Sequence, residues 1–130
     1  MKRSSLARFI SIALAAGWLA APALAEGDVK KGKKVFNKCR SCHSADKEKN
    51  KIGPHLVGLF GRKAGSLEDY SYSNAMKESD VEWTAETLAA YLAKPKEFIP
   101  DTKMNFAGLK KEKQIADVIA YLEETTKKPE

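Results

Sequence analysis

Cys39-Arg40-Ser41-Cys42-His43 is the stretch on which the reading of this chain turns. Two thiols separated by two residues, with a histidine directly after the second, form the attachment pattern of a c-type haem. The thiols add to the two haem vinyl groups, and the adjacent imidazole is placed to bind iron from one face. Three other uses compete for the same residues. A structural zinc site wants four N or S ligands. Beyond the N-terminal segment, Cys39, Cys42, His43 and His55 just suffice in number, but their spacing is not that of a zinc finger. A thioredoxin-type pair expects a βαβ setting, and no strand-like alternation of any length occurs here. A simple disulfide would leave His43 without a role. Haem accounts for all three side chains.

Upstream of the motif the chain changes character. Met1-Lys2-Arg3 and Arg8 make a positive start, Phe9 to Ala25 carries no charge, and Ala23-Leu24-Ala25 is a small-x-small cleavage pattern. This reads as a secretory signal peptide removed after Ala25, leaving residues 26–130 as the single domain and placing it in the periplasm. The competing reading is an uncleaved membrane anchor, for which the run is short, Ala-rich and broken by Pro22. Cleavage removes Lys2, Arg3 and Arg8 and no acid, so the net charge falls from +6 to +3. Two haem propionates lower it again, which argues against a nucleic-acid partner. A domain this small buries a modest core, and a large apolar cofactor supplies part of the missing interior.

Downstream, the pattern is helical. Asp28 is a candidate N-cap for a helix over Val29 to Lys38, with Val29, Gly32, Val35 and Phe36 on one face. Thr84 is a candidate N-cap for a second helix, with Leu88, Tyr91 and Leu92 inward, ending before Pro95. The last, about Lys111 to Thr125, has Ile115, Val118, Ile119 and Leu122 at i, i+3, i+4 and i+7. Ser73 to Ser79 suits one or two turns. Between these lie long loops marked by Gly53-Pro54, Gly58, Gly61, Gly65 and Gly108. Loops of this length are uncommon in a compact domain, unless they pack on a non-protein core. The expectation is an all-α fold of three main helices and short helical turns wrapped around one haem.

The stretches Gly27-Asp28-Val29-Lys30-Lys31-Gly32-Lys33-Lys34-Val35-Phe36, CRSCH, Gly53-Pro54-His55-Leu56-Val57-Gly58-Leu59-Phe60-Gly61-Arg62-Lys63 and Ile99-Pro100-Asp101-Thr102-Lys103-Met104 resemble the class I c-type cytochromes. The resemblance is to their mitochondrial cytochrome c and bacterial cytochrome c2 branch. With Tyr70-Ser71-Tyr72, Tyr91-Leu92, Pro95-Lys96 and Ala120-Tyr121-Leu122 it covers residues 27–126. The resemblance implies covalent haem c on Cys39 and Cys42, with His43 and Met104 as the axial iron ligands. By itself Met104 would read as a core methionine filling a gap. Met76 stands where relatives often carry asparagine and is read as packing on the haem. His55 invites a bis-histidine alternative, but a histidine beside Pro54 reads as structural.

The same resemblance implies several supporting roles. The Pro54 carbonyl accepts from the His43 imidazole, Tyr91 bonds the methionine sulfur, and Arg62, Tyr72, Trp83 and Thr102 help hold the propionates. Gly32 and Phe36 match the crossing of the first and last helices, opposite Val118 and Tyr121. Lys34, Lys38, Lys51, Lys96, Lys103, Lys110 and Lys111 match a ring around the exposed haem edge that steers toward acidic partner surfaces. Glu97 and Glu112 thin that ring. The implied function is a soluble, monomeric, non-enzymatic one-electron carrier. Its donor is a cytochrome bc1 complex, and its acceptor a terminal oxidase or a photosynthetic reaction centre. Two alternatives stand beside it: a haem enzyme or sensor with a labile methionine ligand, peroxidase-like, or the same carrier held at a membrane by an uncleaved N-terminus.

Overall fold

The computed structural model describes Gly17 and residues 26–130; the expected leader, its cleavage point and the anchored alternative otherwise lie outside the described residues. Helix α1, Val29–Phe36, begins where Asp28 leaves extended backbone and its carboxylate accepts the Lys31 N–H at 2.9 Å. A negative group thus sits on the positive end of the helix. The helix stops two residues short of the expected Lys38. From there the chain makes turns in which the Phe36 carbonyl accepts both the Cys39 N–H (2.8 Å) and the Arg40 N–H (3.0 Å), and the Cys39 carbonyl both the Cys42 N–H (3.0 Å) and the His43 N–H (2.9 Å). The CRSCH segment therefore sits on consecutive tight turns.

Helix α5, Glu112–Thr125, starts one residue after the expected Lys111, which acts as its cap. Its stripe of Ile115, Val118, Ile119 and Leu122 is buried. Helices α1 and α5 cross closely because Gly32 has no side chain: a Cβ there would overlap the Asp117 carbonyl oxygen. The Phe36 and Tyr121 rings meet at the same crossing, with centroids 5.4 Å apart. Asp117 is buried on α5 and accepts the Asp28 N–H at 2.7 Å and the Lys113 ammonium. One carboxylate thus serves both helices. Backbone N–H bonds hold both carboxyl pKa values below the ordinary one: that of Lys31 for Asp28, and that of Asp28, followed by the Lys113 ammonium, for Asp117.

Between these two helices the chain forms α2 (Asn74–Glu78), α3 (Ala85–Ala93) and α4 (Pro95–Phe98). Helix α3 opens on a capping box: Thr84 accepts the Thr87 N–H at 3.2 Å while Thr87 accepts the Thr84 N–H at 2.8 Å. Leu88, Tyr91 and Leu92 face the core. Pro95 ends α3 as expected, but the chain beyond it makes a one-turn helix before any loop begins. Proline cannot continue a helix, yet its fixed φ and missing N–H suit a first position. Among the described residues there is no strand, only an isolated antiparallel bridge between Lys63 and Glu82. The fold is all-α. Among the described residues no helix is long and apolar enough to cross a membrane.

Candidate functional site

The tight turns after α1 leave Cys39 and Cys42 half-buried and unpaired as a disulfide. Burial, and secondarily the neighbouring Cys42, pushes the pKa of the Cys39 thiol up. It is held as the neutral S–H. His43 Nδ1 lies 2.7 Å from the Pro54 carbonyl oxygen. A carbonyl can only accept, so Nδ1 carries the proton and the Nε2 lone pair is free. Burial pushes the His43 pKa down, against the opposing pull of the Pro54 bond. The neutral, ligand-competent imidazole is therefore the favoured form.

Gly53 makes room for this arrangement. A Cβ at residue 53 would fall on the His43 ring, against Cε1, Nδ1 and Nε2. The loop backbone is fixed to the turns by the Gly53 N–H on the Cys42 carbonyl (2.8 Å) and the Leu56 N–H on Ser44 (2.8 Å). Glycine before proline reads as a turn signal in sequence; its role as clearance for an imidazole ring does not.

From His43 a continuous arc of contacts runs to the Met104 segment. After Pro54 comes His55, whose carbonyl accepts an Arg62 N–H at 3.0 Å; a second Arg62 N–H bonds the Val57 carbonyl at 3.3 Å. Arg62 and Trp83 join through their backbones, with Trp83 N–H to Arg62 O at 2.9 Å. The Trp83 ring packs on Tyr91 at 5.1 Å, and the Tyr91 hydroxyl meets Thr102 Oγ1 at 2.9 Å. Met104 comes two residues later, half-buried against the core. Residues far apart in sequence are thus brought onto one perimeter.

Several expected roles take specific forms here. The hydroxyl of Tyr91 is engaged by Thr102, not by the methionine sulfur. Arg62 spends two N–H donors on carbonyls of its own loop and lies beside Tyr72, whose phenol is made a weaker acid mainly by burial. Desolvation lowers the pKa of the guanidinium itself. Trp83 is buried as a packing partner of Tyr91. His55 is buried, its N–H on Asn50 Oδ1 (2.9 Å) and its Nδ1 accepting the Val57 N–H (3.2 Å). These bonds use His55 to shape the loop. Met76 packs half-buried on the core. Sequence reasoning misses Asn50, which belongs to no motif, and gives Tyr70 no role of its own.

The residues present fit a covalently held haem. Two thiols, a free imidazole nitrogen and a thioether match the chemistry of a c-type attachment, in which a nitrogen and a sulfur donor would hold the iron. Half-buried Leu56, Phe60, Met76, Phe98, Met104 and Phe106, all packed on the core, supply the apolar surface that such a ring needs.

All seven expected docking lysines are exposed: Lys34, Lys38, Lys51, Lys96, Lys103, Lys110 and Lys111. Two are fixed. The Lys51 ammonium donates to the Arg40 carbonyl at 2.8 Å, and Lys103 donates to the Ser71 carbonyl while lying 4.7 Å above the Tyr70 ring.

Comparison with known proteins adds a family model described as cytochrome c, matched over residues 29–126. The chain is similar to "Cytochrome c" of Gibberella zeae, 53% identical over 106 residues that span 80% of this chain and all of that protein. It is 51% identical over 109 residues to "Cytochrome c type-1" of Ascaris suum, covering 83% of this chain and 97% of the relative. It is also 53% identical over 104 residues to "Cytochrome c" of Arabidopsis thaliana, covering 78% and 93%. These relatives come from a fungus, a nematode and a plant. They overturn the periplasmic location expected from the N-terminus, because eukaryotic cells have no periplasm.

Proposed function

The chain belongs to the cytochrome c family of electron carriers, with haem c bound covalently, and from that premise we propose how its residues divide the work. Cys39 and Cys42 form the two thioethers. Because Cys39 is already a neutral thiol in an apolar setting, replacing S–H by a neutral thioether buries no charge. His43 Nε2 and the Met104 sulfur would hold the haem iron. Haem c, when bound, supplies an iron that alternates between ferrous and ferric states, and the thioether ligand favours the ferrous one. The working unit is residues 26–130, with residues 1–25 a removable leader.

The His43–Pro54 bond is the observation that carries this reading. It fixes the tautomer and ring orientation of the iron-binding imidazole and raises its basicity. Tyr91 and Thr102 hold the Met104 segment in place through their hydroxyl pair, and Lys103 ties it to Ser71 from the other side. With His43 and Met104 both holding the iron, the bound group would have no open position for substrate, and the protein would act as a monomeric carrier, not an enzyme. Arg62, Tyr72, Trp83 and Thr102 line the propionate side. The proposed donor is a bc1-type complex and the proposed acceptor a terminal oxidase. The exposed lysines steer these encounters, so the rates fall with ionic strength.

The test is the spectrum of the ferric protein beside that of Met104→Ala. The wild type is expected to show a weak far-red sulfur-to-iron charge-transfer band that the variant lacks, together with a large fall in potential. A wild type without that band, or one that binds exogenous ligands freely, refutes the closed six-coordinate carrier.

A further inference from the structure

Ile52 is 75% exposed, and it is the one large apolar side chain so exposed among the described residues. A single exposed isoleucine is ordinary on a protein surface. What sets Ile52 apart is how it is held. On one side, the Gly53 N–H bonds the Cys42 carbonyl at 2.8 Å, the Lys51 N–H bonds the Gly53 carbonyl at 3.0 Å, and the Lys51 ammonium reaches the Arg40 carbonyl. On the other, the Tyr70 hydroxyl donates to the carbonyl of Ile52 itself at 2.6 Å, and Asn50 Nδ2 donates to the Asp69 carbonyl at 3.2 Å. The side chain is presented from backbone clamped between two loops.

The neighbours of Ile52 extend this into a surface. Arg40 and Lys51 stand beside it at the Cys-x-x-Cys turn, and Tyr70 links it to Lys103, the residue before Met104. A strip of Arg40, Lys51, Ile52, Tyr70 and Lys103 therefore joins the two iron-binding segments, with the Lys51 ammonium on the Arg40 carbonyl on one side of its apolar residue and Lys103 over Tyr70 on the other. The lysines and arginine accelerate encounter but contribute little lasting affinity, being solvated and salt-screened. An apolar side chain on rigid backbone loses little entropy on docking and gains from exclusion of water.

We propose that Ile52 is the apolar anchor of the partner-docking face. It fits an electron-transfer protein whose own docking patch is an apolar depression rimmed by carboxylates. This rests on the carrier reading above. Lysine charge governs how fast the two proteins meet; Ile52 governs how long they stay.

The experiment compares the haem-loaded wild type with Ile52→Ser and Lys51→Gln, using a purified bc1 complex as reductant and as surface-immobilised binding partner. For Ile52→Ser, KM and Kd are expected to rise about five- to twentyfold, through dissociation rate. Its midpoint potential, far-red band, melting temperature and salt slope should match the wild type. Lys51→Gln should instead flatten the salt slope and leave the dissociation rate nearly unchanged. An Ile52→Ser protein with KM and Kd within about twofold of wild type overturns the anchor while leaving the carrier intact. A wild type that the bc1 complex neither binds nor reduces overturns the partner assignment, and the anchor with it.

Discussion

Replacing Gly53 by alanine isolates one steric relation. The glycine is not in a left-handed conformation, so alanine meets no backbone strain there; the conflict is with the His43 ring, onto which the new Cβ would fall. Either the imidazole rotates off the Pro54 carbonyl or the loop moves away, and the loop is tied by the Gly53 N–H bond to Cys42. Overpacking of this kind costs about 1–3 kcal/mol, and a lost intramolecular hydrogen bond about 1 kcal/mol. Alanine returns about 0.5 kcal/mol by restricting the unfolded chain. The expected net loss is about 2–3 kcal/mol, read by guanidinium denaturation of the haem-loaded protein as a midpoint lowered by roughly half a molar. Gly61→Ala is the internal comparison: its Cβ has open space, but φ is +88°, so it should lose about 1–2 kcal/mol from backbone strain alone. The two variants should also part in potential, since only Gly53→Ala disturbs the iron-binding imidazole. A Gly53→Ala protein as stable as wild type, with unchanged potential, would refute the argument that glycine is there to clear the ring.

Two further outcomes come from the packing. Asp117 has its pKa depressed in the folded protein, so its stabilisation is present above the unfolded value near 4 and is lost as pH falls through the lower folded value. Asp117→Asn keeps an acceptor for the Asp28 N–H but removes this titration, so acid unfolding below about pH 4 should be shallower than in wild type, read as melting temperature against pH. Tyr91→Phe and Thr102→Val each leave a buried hydroxyl without its partner, an expected loss of about 1–3 kcal/mol apiece, whereas the double variant should lose clearly less than their sum. Strict additivity in denaturant titrations would show that the two hydroxyls do not act as a pair.

The helices are legible in the sequence because each rests on a local pattern: the 3–4 spacing of Ile115, Val118, Ile119 and Leu122, the Asp28 cap, the Thr84 cap. The differences fall at their edges. α1 ends at Phe36 because the chain there passes into turns that mix i→i+3 and i→i+4 bonds, a change that propensity does not register. Pro95 reads as a stop, and it is also a start, since the features that break a helix interior suit its first turn. The location inferred from the N-terminal charge pattern is wrong for a different reason. That pattern concerns a segment separate from the fold, and the three relatives named above are eukaryotic.

By itself the sequence determined the chemistry on offer: two thiols and a histidine in one short motif, a methionine in a proline-bounded loop, and lysines in excess along the domain. Covalent spacing sets such features, and no folding is needed to read them. The tertiary structure alone decided which groups meet. Asp117 accepts an N–H from a residue 89 positions away, Tyr91 pairs with Thr102, and Tyr70 clamps the backbone under Ile52. Each of these joins segments with no shared periodicity, so nothing in the local order of residues encodes the pair. The Asp117 and Tyr91 pairs exist because close packing leaves a buried donor or acceptor to find its partner wherever the chain brings one within reach, and the exposed Tyr70 bond because two loops meet there.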